Sequence, residues 1–344
     1  MTHRALVVGA GNAGRAHADA LAELGIEHTG PISGVATVSD QASLRDPAID
    51  VVHVATTNDL HLPLAGAALR AGKHVVCEKP LAADVTSAEQ LASLAGSTGL
   101  RTTICQTYRF LPLLAELRER VRSGELGTLH QARGSFLQDW LLLVSDDNWR
   151  IDAGRGGMSR TVADIGVHWL DLVETIADQR VEAVVAQLGF LHGRKTEDHA
   201  GLLVRFDGGL HGVCALSQAT AGRRNELEVA LDGEQASATW RNDRPDELWL
   251  GVRDRPVRLI DRTAVTSASA RDLASPRPDA NEGRRNLMAA FYASLDGVPP
   301  TAPLATFEDG LRHVRFAEAA ILSARRGAWV ELREVTSKIV EIRP

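Results

Sequence analysis

The sequence predicts an α/β protein: a doubly wound parallel sheet, followed by an α+β domain with a large, mostly antiparallel sheet. Three observations support this prediction. A glycine-rich turn follows the first apolar run, apolar runs then alternate with helical patterns, and hairpin signals separate short strands beyond residue 180. Because 344 residues exceed what one ordinary core holds, we expect a first domain at 1–124 and a second at 125–344.

The composition excludes several classes of partner. The formal net charge is −6, so we expect no basic surface for nucleic acid. No apolar run is long enough to cross a bilayer, and Gly9 and Gly11 interrupt the first run too early for a signal peptide. The three cysteines (Cys77, Cys105 and Cys214) lack a Cys-x-x-Cys spacing, which argues against a zinc site or a disulfide framework. We therefore expect a cytoplasmic protein with no metal and no nucleic-acid or membrane partner.

A glycine-rich turn lies between the apolar run 5–8 and a helical stretch that continues to Leu24. Its sequence is Gly9-Ala10-Gly11-Asn12-Ala13-Gly14. Gly9 permits a tight turn, Gly11 lets the backbone approach a pyrophosphate at the helix N-terminus, and Gly14 lets the helix pack close to the strand. In this strand–turn–helix context the turn predicts dinucleotide binding.

The usual determinant of cofactor choice is missing. In NAD-binding domains an acidic residue about 20 positions after the turn holds the ribose hydroxyls. Segment 26–34 offers none at the expected place, and Pro31 with its neighbouring glycines rules out a long strand. Ser33 or Thr29 is a candidate contact to the ribose, although a surface turn is at least as good an interpretation. NAD and NADP both stay open.

Polar residues follow three later strands at the sheet edge where such folds bind ligands. Strand 73–78 runs into Lys79-Pro80, and the proline prevents further strand pairing. Strand 49–55 leads to Thr56, Asn58 and His61, and strand 101–105 leads to Gln106, Tyr108 and Arg109. A capping box at Thr86-Ser87-Ala88-Glu89 predicts the start of the intervening helix. For Lys79 alone, a surface lysine that ends a strand is the alternative interpretation.

In the second half, two polar clusters are candidates for a site. Asp164 and His168 lie four residues apart, so on a helix they share a face, and the carboxylate can orient the imidazole and raise its pKa. A surface hydrogen bond is the alternative. Trp149 and Arg150 lie in a loop, where an aromatic face beside polar groups suits a sugar. A buried structural tryptophan is an equally good interpretation.

The sequence after residue 180 predicts strands followed by helices. Five strands are predicted between residues 181 and 240, with hairpin signals at Asp207-Gly208-Gly209 and Asp232-Gly233. Segment 253–284 is rich in Pro, Ser and Arg and is predicted to be a loop. Two helices, 286–295 and 307–325, close the chain.

Taken together, these residues resemble the Gfo/Idh/MocA family, which includes glucose–fructose oxidoreductase and inositol dehydrogenase. The resemblance rests on the glycine turn, the run from Gly72 to Pro80 with its Glu-Lys-Pro ending, Tyr108-Arg109-Phe110, and the series Asp164, Gly166, His168, Asp171. It implies a Rossmann domain and a substrate-binding domain that also forms a homodimer or homotetramer through its sheet. It further implies hydride transfer between NAD or NADP and a secondary alcohol or ketone carbon of a sugar, polyol or cyclitol.

The resemblance also assigns residues. Lys79, Asp164 and His168 are the expected catalytic residues, and the division of acid–base work between Lys79 and His168 stays open. The expected cofactor contacts are Gly9, Gly11, Asn12, Ala13, Gly14, Ser33, Thr56, Asn58, His61, Glu78, Lys79 and Gln106. The expected substrate contacts are Lys79, Tyr108, Arg109, Trp149, Arg150, Asp164 and His168.

Two other functions occur in the same family and stay open as alternatives. One is a redox-assisted glycosidase that oxidises a hydroxyl transiently and returns the hydride, with no net consumption of NAD. The other is a non-catalytic sensor of dinucleotide or sugar, against which the intact Lys79, Asp164 and His168 argue.

Overall fold

The structure is a computed structural model that describes residues 3–275 and 278–336. The described residues form two compact units, each discontinuous in sequence. Unit 1 comprises residues 3–110, 154–157 and 278–314, and unit 2 comprises the rest. The continuous domains expected at 1–124 and 125–344 stay a prediction.

Unit 1 contains a five-stranded, fully parallel sheet, as predicted. Its strands, in the spatial order β2-β1-β3-β4-β5, are β1 (Arg4–Val8), β2 (Glu27–Ile32), β3 (Val51–Val54), β4 (His74–Cys77) and β5 (Thr102–Ile104). The helices that connect them are α1 (Asn12–Glu23), α2 (Gly34–Ser39), α3 (His61–Arg70) and α4 (Val85–Thr98). The strand order reverses next to β1, and such switch points are where open parallel sheets bind ligands.

The apolar content of β1 and β3 explains their central position. Ala5 to Val8 and the whole of β3 are buried, as expected for parallel strands covered on both faces. Contrary to the expectation from Pro31 and its glycines, β2 has six residues and is the longest strand of this sheet; it lies at the edge, where proline is tolerated, and is followed by α2 with only six residues. The predicted capping box of α4 is wrong: the helix begins at Val85, and the Asp84 carboxylate accepts the Ser87 N–H at 2.8 Å. Aspartate is as good an N-cap as threonine, and here the earlier residue takes the position.

Unit 2 is built on a nine-stranded sheet in the order β13-β12-β11-β10-β6-β9-β8-β7-β14. All neighbouring strands are antiparallel except β6 and β9. The strands are β6 (Leu129–Leu137), β7 (Val181–Gly189), β8 (His199–Phe206), β9 (His211–Ser217), β10 (Glu226–Gly233), β11 (Ala236–Arg241), β12 (Arg244–Val252), β13 (Arg258–Asp261) and β14 (Val330–Glu331). The predicted mostly antiparallel sheet is thus confirmed.

The later helices are α5 (Pro112–Arg122), α6 (Ala153–Gly156), α7 (Val167–Ala177), α8 (Ala268–Leu273), α9 (Glu282–Leu295) and α10 (Phe307–Arg326). The loop predicted for 253–284 is therefore wrong, because this segment contains β13, α8 and the start of α9. Only one residue of β13 is buried, so this edge strand lacks the alternation that would reveal it. The Ser267 side chain caps α8 by accepting the Ala270 N–H.

Helix α7 packs on the unit 2 sheet through an apolar stripe. The stripe consists of Ile165, Trp169, Leu172, Val173 and Ile176, all buried. Two glycines provide room for Trp169: a Cβ at Gly134 would lie 2.2 Å from its Nε1, and one at Gly212 would lie 2.9 Å from its ring. A five-residue π-helix, Val162–Gly166, precedes α7 and contains Asp164. Single π-helical turns occur frequently at functional sites.

The opposite face of this sheet exposes apolar side chains. Strand register places Leu203 opposite Val213, and Trp249 opposite Leu259, in one row across the strands. These four side chains are between 36% and 64% exposed. Of the helices within residues 3–275 and 278–336, none is long and apolar enough to cross a membrane.

Candidate functional site

The three glycines after β1 have different surroundings. A Cβ at Gly9 would lie 2.1 Å from the Ala55 carbonyl oxygen, and one at Gly14 would lie 1.6 Å from that of Gly9. A Cβ at Gly11 would meet no described atom within 4 Å. Gly9 and Gly14 are thus required by packing, while Gly11 faces open space at the N-terminus of α1. This space fits the pyrophosphate of a dinucleotide, which needs close approach to the backbone.

The neighbouring predicted cofactor residues lie at the same sheet edge. Asn12 is exposed, and its side-chain oxygen accepts from Arg15 at 2.6 Å, while Ala13 is half-buried in the first turn of α1. Ser33 is exposed directly after β2, and its Oγ accepts the Ala36 N–H at 3.4 Å as the cap of α2. A Cβ on Gly34 would lie 2.4 Å from the Thr56 side chain, so the first turn of α2 lies close to the segment that follows β3.

Lys79 follows β4 at this edge and is half-buried. The peptide bond between Lys79 and Pro80 is cis. The Glu78 carboxylate accepts the Lys79 backbone N–H at 3.1 Å and lies 3.7 Å from the Arg284 guanidinium. Burial acts to raise the pKa of Glu78, but the hydrogen bond from His17 and the charges of Arg284 and Lys79 hold that pKa well below its usual range. Glu78 is therefore an anion that fixes the backbone beside Lys79.

Behind Glu78, a buried hydrogen-bonded chain extends to α9. Glu78 Oε1 lies 3.2 Å from His17 Nε2, His17 Nδ1 lies 3.0 Å from His53 Nδ1, and His53 Nε2 lies 2.9 Å from the Tyr292 hydroxyl. Burial lowers the pKa of His53 and raises that of Tyr292, so His53 is neutral and Tyr292 keeps its proton. One set of protons satisfies every bond: Tyr292 donates to His53, His53 to His17, and His17 to Glu78. Only Glu78 of these four residues was predicted from the sequence.

His61 and Asn58 hold neighbouring segments of unit 1. His61 is fully buried, and its Nδ1 lies 2.9 Å from the Pro80 carbonyl oxygen. Burial lowers the pKa of His61, so the neutral ring donates its Nδ1 proton to Pro80. Asn58 is buried and donates to the Gly156 carbonyl at 2.8 Å. These contacts are structural supports of the sheet edge, and the predicted cofactor contacts of both residues stay predictions.

The segment after β5 is also held by internal contacts of unit 1. Gln106 is buried, and its Nε2 lies 3.2 Å from His313 Nδ1. Arg109 is buried, with its guanidinium 3.6 Å from Asp309, and it donates to the Pro303 carbonyl. These contacts favour a structural role for Gln106 and Arg109, whose predicted ligand contacts stay predictions. Tyr108 is half-buried in a short 3-10 turn.

One group of potential metal ligands exists among the described residues. Ligand atoms of His17, Glu78 and Cys105 all lie within 4.8 Å of one another. The Arg284 guanidinium lies 3.7 Å from the same Glu78 oxygen that faces His17, and burial raises the pKa of the Cys105 thiol. A fixed positive charge and a protonated thiol both oppose cation binding, so the arrangement gives no support for a metal site.

In unit 2, the structure brings together three of the predicted residues. The Asp164 carboxylate accepts from Arg150 Nε at 3.1 Å, and the Arg150 guanidinium stacks on Trp149 at 4.4 Å from the ring centroid. His168 is 9% exposed one turn along the chain, with its ring 6.2 Å from that of Phe136. Because Trp149 and Arg150 are half-buried, an aromatic face, a guanidinium and a carboxylate form one polar–apolar surface.

Two glutamines that the sequence analysis missed complete this cluster. Gln218 Nε2 donates to Asp164 Oδ2 at 2.7 Å and lies 3.4 Å from Gln138 Oε1. The same Gln138 oxygen accepts the Trp140 indole N–H at 2.6 Å. Each glutamine directly follows a strand: Gln138 comes after β6 and Gln218 after β9. That position, polar directly after an apolar strand, is the signal that could have revealed them.

A buried glutamate fixes the chain before Asp164. Glu197 is fully buried and accepts from Ser159 Oγ at 2.7 Å and from the backbone N–H groups of Arg160 and Val162, each at 3.0 Å. Burial raises the pKa of Glu197 although these bonds act to lower it. Glu197 therefore holds in place the backbone from which the π-helical turn with Asp164 begins.

Comparisons with known proteins agree with this geometry. Residues 25–105 match the model of an oxidoreductase family described as an NAD-binding Rossmann fold, and residues 114–239 match the GFO/IDH/MocA C-terminal domain. An uncharacterised oxidoreductase of Rhizobium meliloti is 31% identical over 291 residues, which cover 83% of this chain and 81% of the relative.

A further relative and a solved structure extend the comparison. Levoglucosan dehydrogenase of Pseudarthrobacter phenanthrenivorans is 26% identical over 336 residues, covering 88% of this chain and 85% of that protein. A solved structure of levoglucosan dehydrogenase, in complex with NADH and L-sorbose, superposes with a TM-score of 0.85 at 24% identity, covering 96% of this chain and 98% of that one.

Proposed function

The chain belongs to the Gfo/Idh/MocA family of NAD-binding oxidoreductases, and on this premise we propose that it transfers a hydride between a nicotinamide and a secondary alcohol or ketone carbon of a sugar, polyol or cyclitol. One observation carries the proposal: Lys79 follows β4 at the same edge of the parallel sheet at which Gly11 faces open space. The name of the relative levoglucosan dehydrogenase supports a sugar-like substrate.

In this proposal the residues of unit 1 bind the cofactor and polarise the substrate. The nicotinamide, when bound, supplies the hydride acceptor or donor. The N-terminus of α1 at Gly11 binds the pyrophosphate, and Ser33 and Thr56 contact the ribose. The Lys79 ammonium donates a hydrogen bond to the carbinol oxygen and stabilises the negative charge that develops there. Glu78 holds the backbone N–H of Lys79 in place.

In the same proposal, the residues of unit 2 accept the carbinol proton and bind the other hydroxyls of the substrate. His168 accepts the carbinol proton during oxidation and returns it during reduction. Asp164, already bonded to Arg150, accepts from a second substrate hydroxyl. Trp149 and Arg150 present an aromatic face and a donor, a combination that suits the C–H face and the hydroxyls of a sugar ring.

A panel of sugars, polyols and cyclitols, incubated with NAD⁺ or NADP⁺, tests the proposal. We expect at least one compound to give steady formation of reduced cofactor at 340 nm. Release of a glycosidic leaving group without net reduction would instead identify a redox-assisted glycosidase. Dinucleotide binding without any turnover across the panel, assayed in both directions, would identify a sensor.

We also propose that the protein is a homodimer or homotetramer that associates through the unit 2 sheet. The exposed pairs Leu203–Val213 and Trp249–Leu259 support this, because apolar side chains on one face of a sheet offer surface that a second copy can cover. Light scattering of the wild-type protein should give two or four times the 37.0 kDa chain mass, and a Leu203→Glu, Val213→Glu double variant should give a smaller mass. A wild-type monomer would contradict the proposal.

A further inference from the structure

Gln218 is a buried side chain with an unusual balance of hydrogen bonds. It is 0% exposed, its Nε2 donates to Asp164 Oδ2 at 2.7 Å, and the same nitrogen lies 3.4 Å from Gln138 Oε1. Its own Oε1 is buried and accepts no hydrogen bond from any residue within 3–275 and 278–336. The amide therefore makes its donor contacts while its acceptor is left unpaired.

The backbone of Gln218 is held on both sides, and the direction of its side-chain amide is set by Asp164. The Gln218 N–H donates to the Asp198 carbonyl at 3.0 Å, and the Gln218 carbonyl accepts the Leu141 N–H at 3.1 Å. A flipped amide would place Oε1 against the Asp164 carboxylate, where two oxygens carrying negative charge repel each other. The contact with Asp164 thus determines the direction of the amide.

An unpaired buried carbonyl destabilises a fold, and such groups in native structures call for an explanation. An apolar side chain of similar size would fill the same volume without that cost. Gln218 does not need its acceptor for packing, so the donor to Asp164 is the contact that accounts for a glutamine at this position.

We infer that Gln218 is a positioning residue that fixes the carboxylate of Asp164 for its contact with substrate, an inference that rests on the proposed function. Gln218 Nε2 holds Oδ2, and Arg150 Nε holds Oδ1 at 3.1 Å, so the plane of the carboxylate is set by one donor on each oxygen. Held on both oxygens, the carboxylate has one orientation for its contact with a substrate hydroxyl. Gln218 itself need not touch the substrate.

Two substitutions and a control test the inference on a substrate identified from the sugar panel. Gln218→Met keeps the volume and removes the donor, and we expect kcat to fall by roughly 10–10² because small misplacements of a contact group cost that much. The affinity for NADH and the melting temperature should stay near the wild-type values. Gln187→Met, at an exposed position of β7, should change none of these quantities.

The variant Gln218→Glu distinguishes loss of the hydrogen bond to Asp164 from a change in packing, because its hydrogen-bonding capacity depends on pH. Its carboxyl group would face the Asp164 carboxylate, whose other oxygen is held by Arg150 and which lies one turn from the titratable His168. Two adjacent carboxylates disfavour each other's ionisation, so the pair takes up a proton at a higher pH than a lone carboxylate. At acid pH the shared proton restores a donor to Asp164, so kcat relative to wild type should recover as the pH falls, whereas Gln218→Met should show no recovery. Equal losses in both variants at every pH, or a wild-type kcat for Gln218→Met, would overturn the inference.

A second readout needs no turnover and stays valid if the proposed function fails. In protein labelled with ¹⁵N-glutamine, the side-chain amide signal of Gln218 is the one that disappears in Gln218→Met. We expect Asp164→Asn to shift this signal strongly, because it replaces a charged acceptor at 2.7 Å, and to leave the Gln187 signal in place. An unshifted Gln218 signal would contradict the contact on which the inference depends.

Discussion

At the scale of single residues, the glycine turn after β1 contains glycines that packing requires and one glycine that packing does not require. Gly9 and Gly14 are required because any Cβ would collide with backbone carbonyls, so their substitution tests folding and not cofactor binding. Gly11 has an ordinary backbone conformation, with φ of −78°, and open space where its Cβ would be. The protein alone does not require glycine there, whereas a bound pyrophosphate would.

We predict that Gly11→Val abolishes NAD(H) binding while the fold is retained, because the valine side chain would occupy the space next to the helix N-terminus. Fluorescence titration with NADH measures the affinity, and a thermal melt reports the fold. Gly96→Val in α4 is the control, since its Cβ also meets no described atom within 4 Å, yet Gly96 lies outside the turn. Wild-type affinity in Gly11→Val would contradict the cofactor assignment.

For Lys79 and His168 we predict a loss of chemistry without a loss of binding. Removing a positioned proton-transfer group costs on the order of 10²–10⁴ in rate, so Lys79→Ala and His168→Ala should each lower kcat by at least roughly 10². Steady-state kinetics on a panel substrate measure kcat, and dinucleotide titration shows whether the site is intact. A near-normal kcat in either variant would remove that residue from the mechanism.

Some site residues could be predicted from sequence because their backbone context identifies them. Gly11 and Lys79 follow apolar strands at a sheet edge, and this context is readable without a structure. The contacts of Gln218 and Tyr292 could not be predicted, because they join segments far apart in the chain: Gln218 is 54 residues from Asp164, and Tyr292 is 239 residues from His53. A single sequence contains no signal for such pairings.

At the scale of elements, the segment from β2 to the six-residue helix α2 bears on cofactor choice. Ser33 directly follows β2, its exposed hydroxyl caps α2, and no acidic or basic side chain is hydrogen-bonded to that hydroxyl among the described contacts. Arg45, a basic residue farther along this segment, donates to Gln41. β13 was not predicted because only one of its four residues is buried, and α8 was not predicted because six residues are too few to show a helical period.

We therefore predict weak discrimination between NAD and NADP, with kcat/KM values that differ by less than about 10², or roughly 2.7 kcal/mol. A hydroxyl can bond to a ribose hydroxyl or to a 2′-phosphate, whereas a carboxylate repels the phosphate. Ser33→Asp should shift the ratio toward NAD, and Ser33→Arg toward NADP. Initial rates with both cofactors decide the matter. A wild-type preference of about 10³ or more would reveal a determinant outside this segment.

Helices α5 and α8 are joined by one buried carboxylate. Glu116 on α5 accepts from the Ser267 N–H at 2.8 Å and from the Thr266 hydroxyl at 2.8 Å, and it pairs with Arg120 at 2.6 Å. Burial acts to raise the pKa of Glu116, but the hydrogen bonds from Ser267 and Thr266, with the charge of Arg120, lower it to about 2. A folded-state pKa below the unfolded value stabilises the fold above the unfolded pKa.

We predict that Glu116→Gln lowers the free energy of unfolding near neutral pH by up to about 3 kcal/mol. The difference from wild type should shrink as the pH falls from about 4.5 toward 2, because the wild-type carboxylate then takes up its proton. Urea unfolding at several pH values measures this. Glu119→Gln, a more exposed position of α5, should change the stability by less than about 1 kcal/mol. Equal effects of the two substitutions would refute the assignment.

At the scale of the whole molecule, each unit supplies one part of the proposed chemistry. Unit 1 has the glycine turn, Lys79, and the hydrogen-bonded chain from Glu78 through His17. Unit 2 has His168 and Asp164, whose carboxylate accepts from Arg150 and Gln218. The fold class was predictable because alternation of strands and helices, and then of strands and hairpin turns, is a property of the entire chain. The substrate is not predictable in the same way, because the proposed contacts come from separate segments of the chain.

Direct transfer of hydrogen is the central claim, and one measurement tests it. A substrate from the panel, deuterated at the carbinol carbon, is incubated with the protein and oxidised cofactor, and the reduced cofactor is analysed by mass spectrometry. The account predicts that the reduced cofactor gains one deuterium, at a rate that falls by at least roughly 10² in Lys79→Ala. Reduced cofactor without deuterium, or deuterium that remains in a cleaved product with no net cofactor reduction, would contradict it.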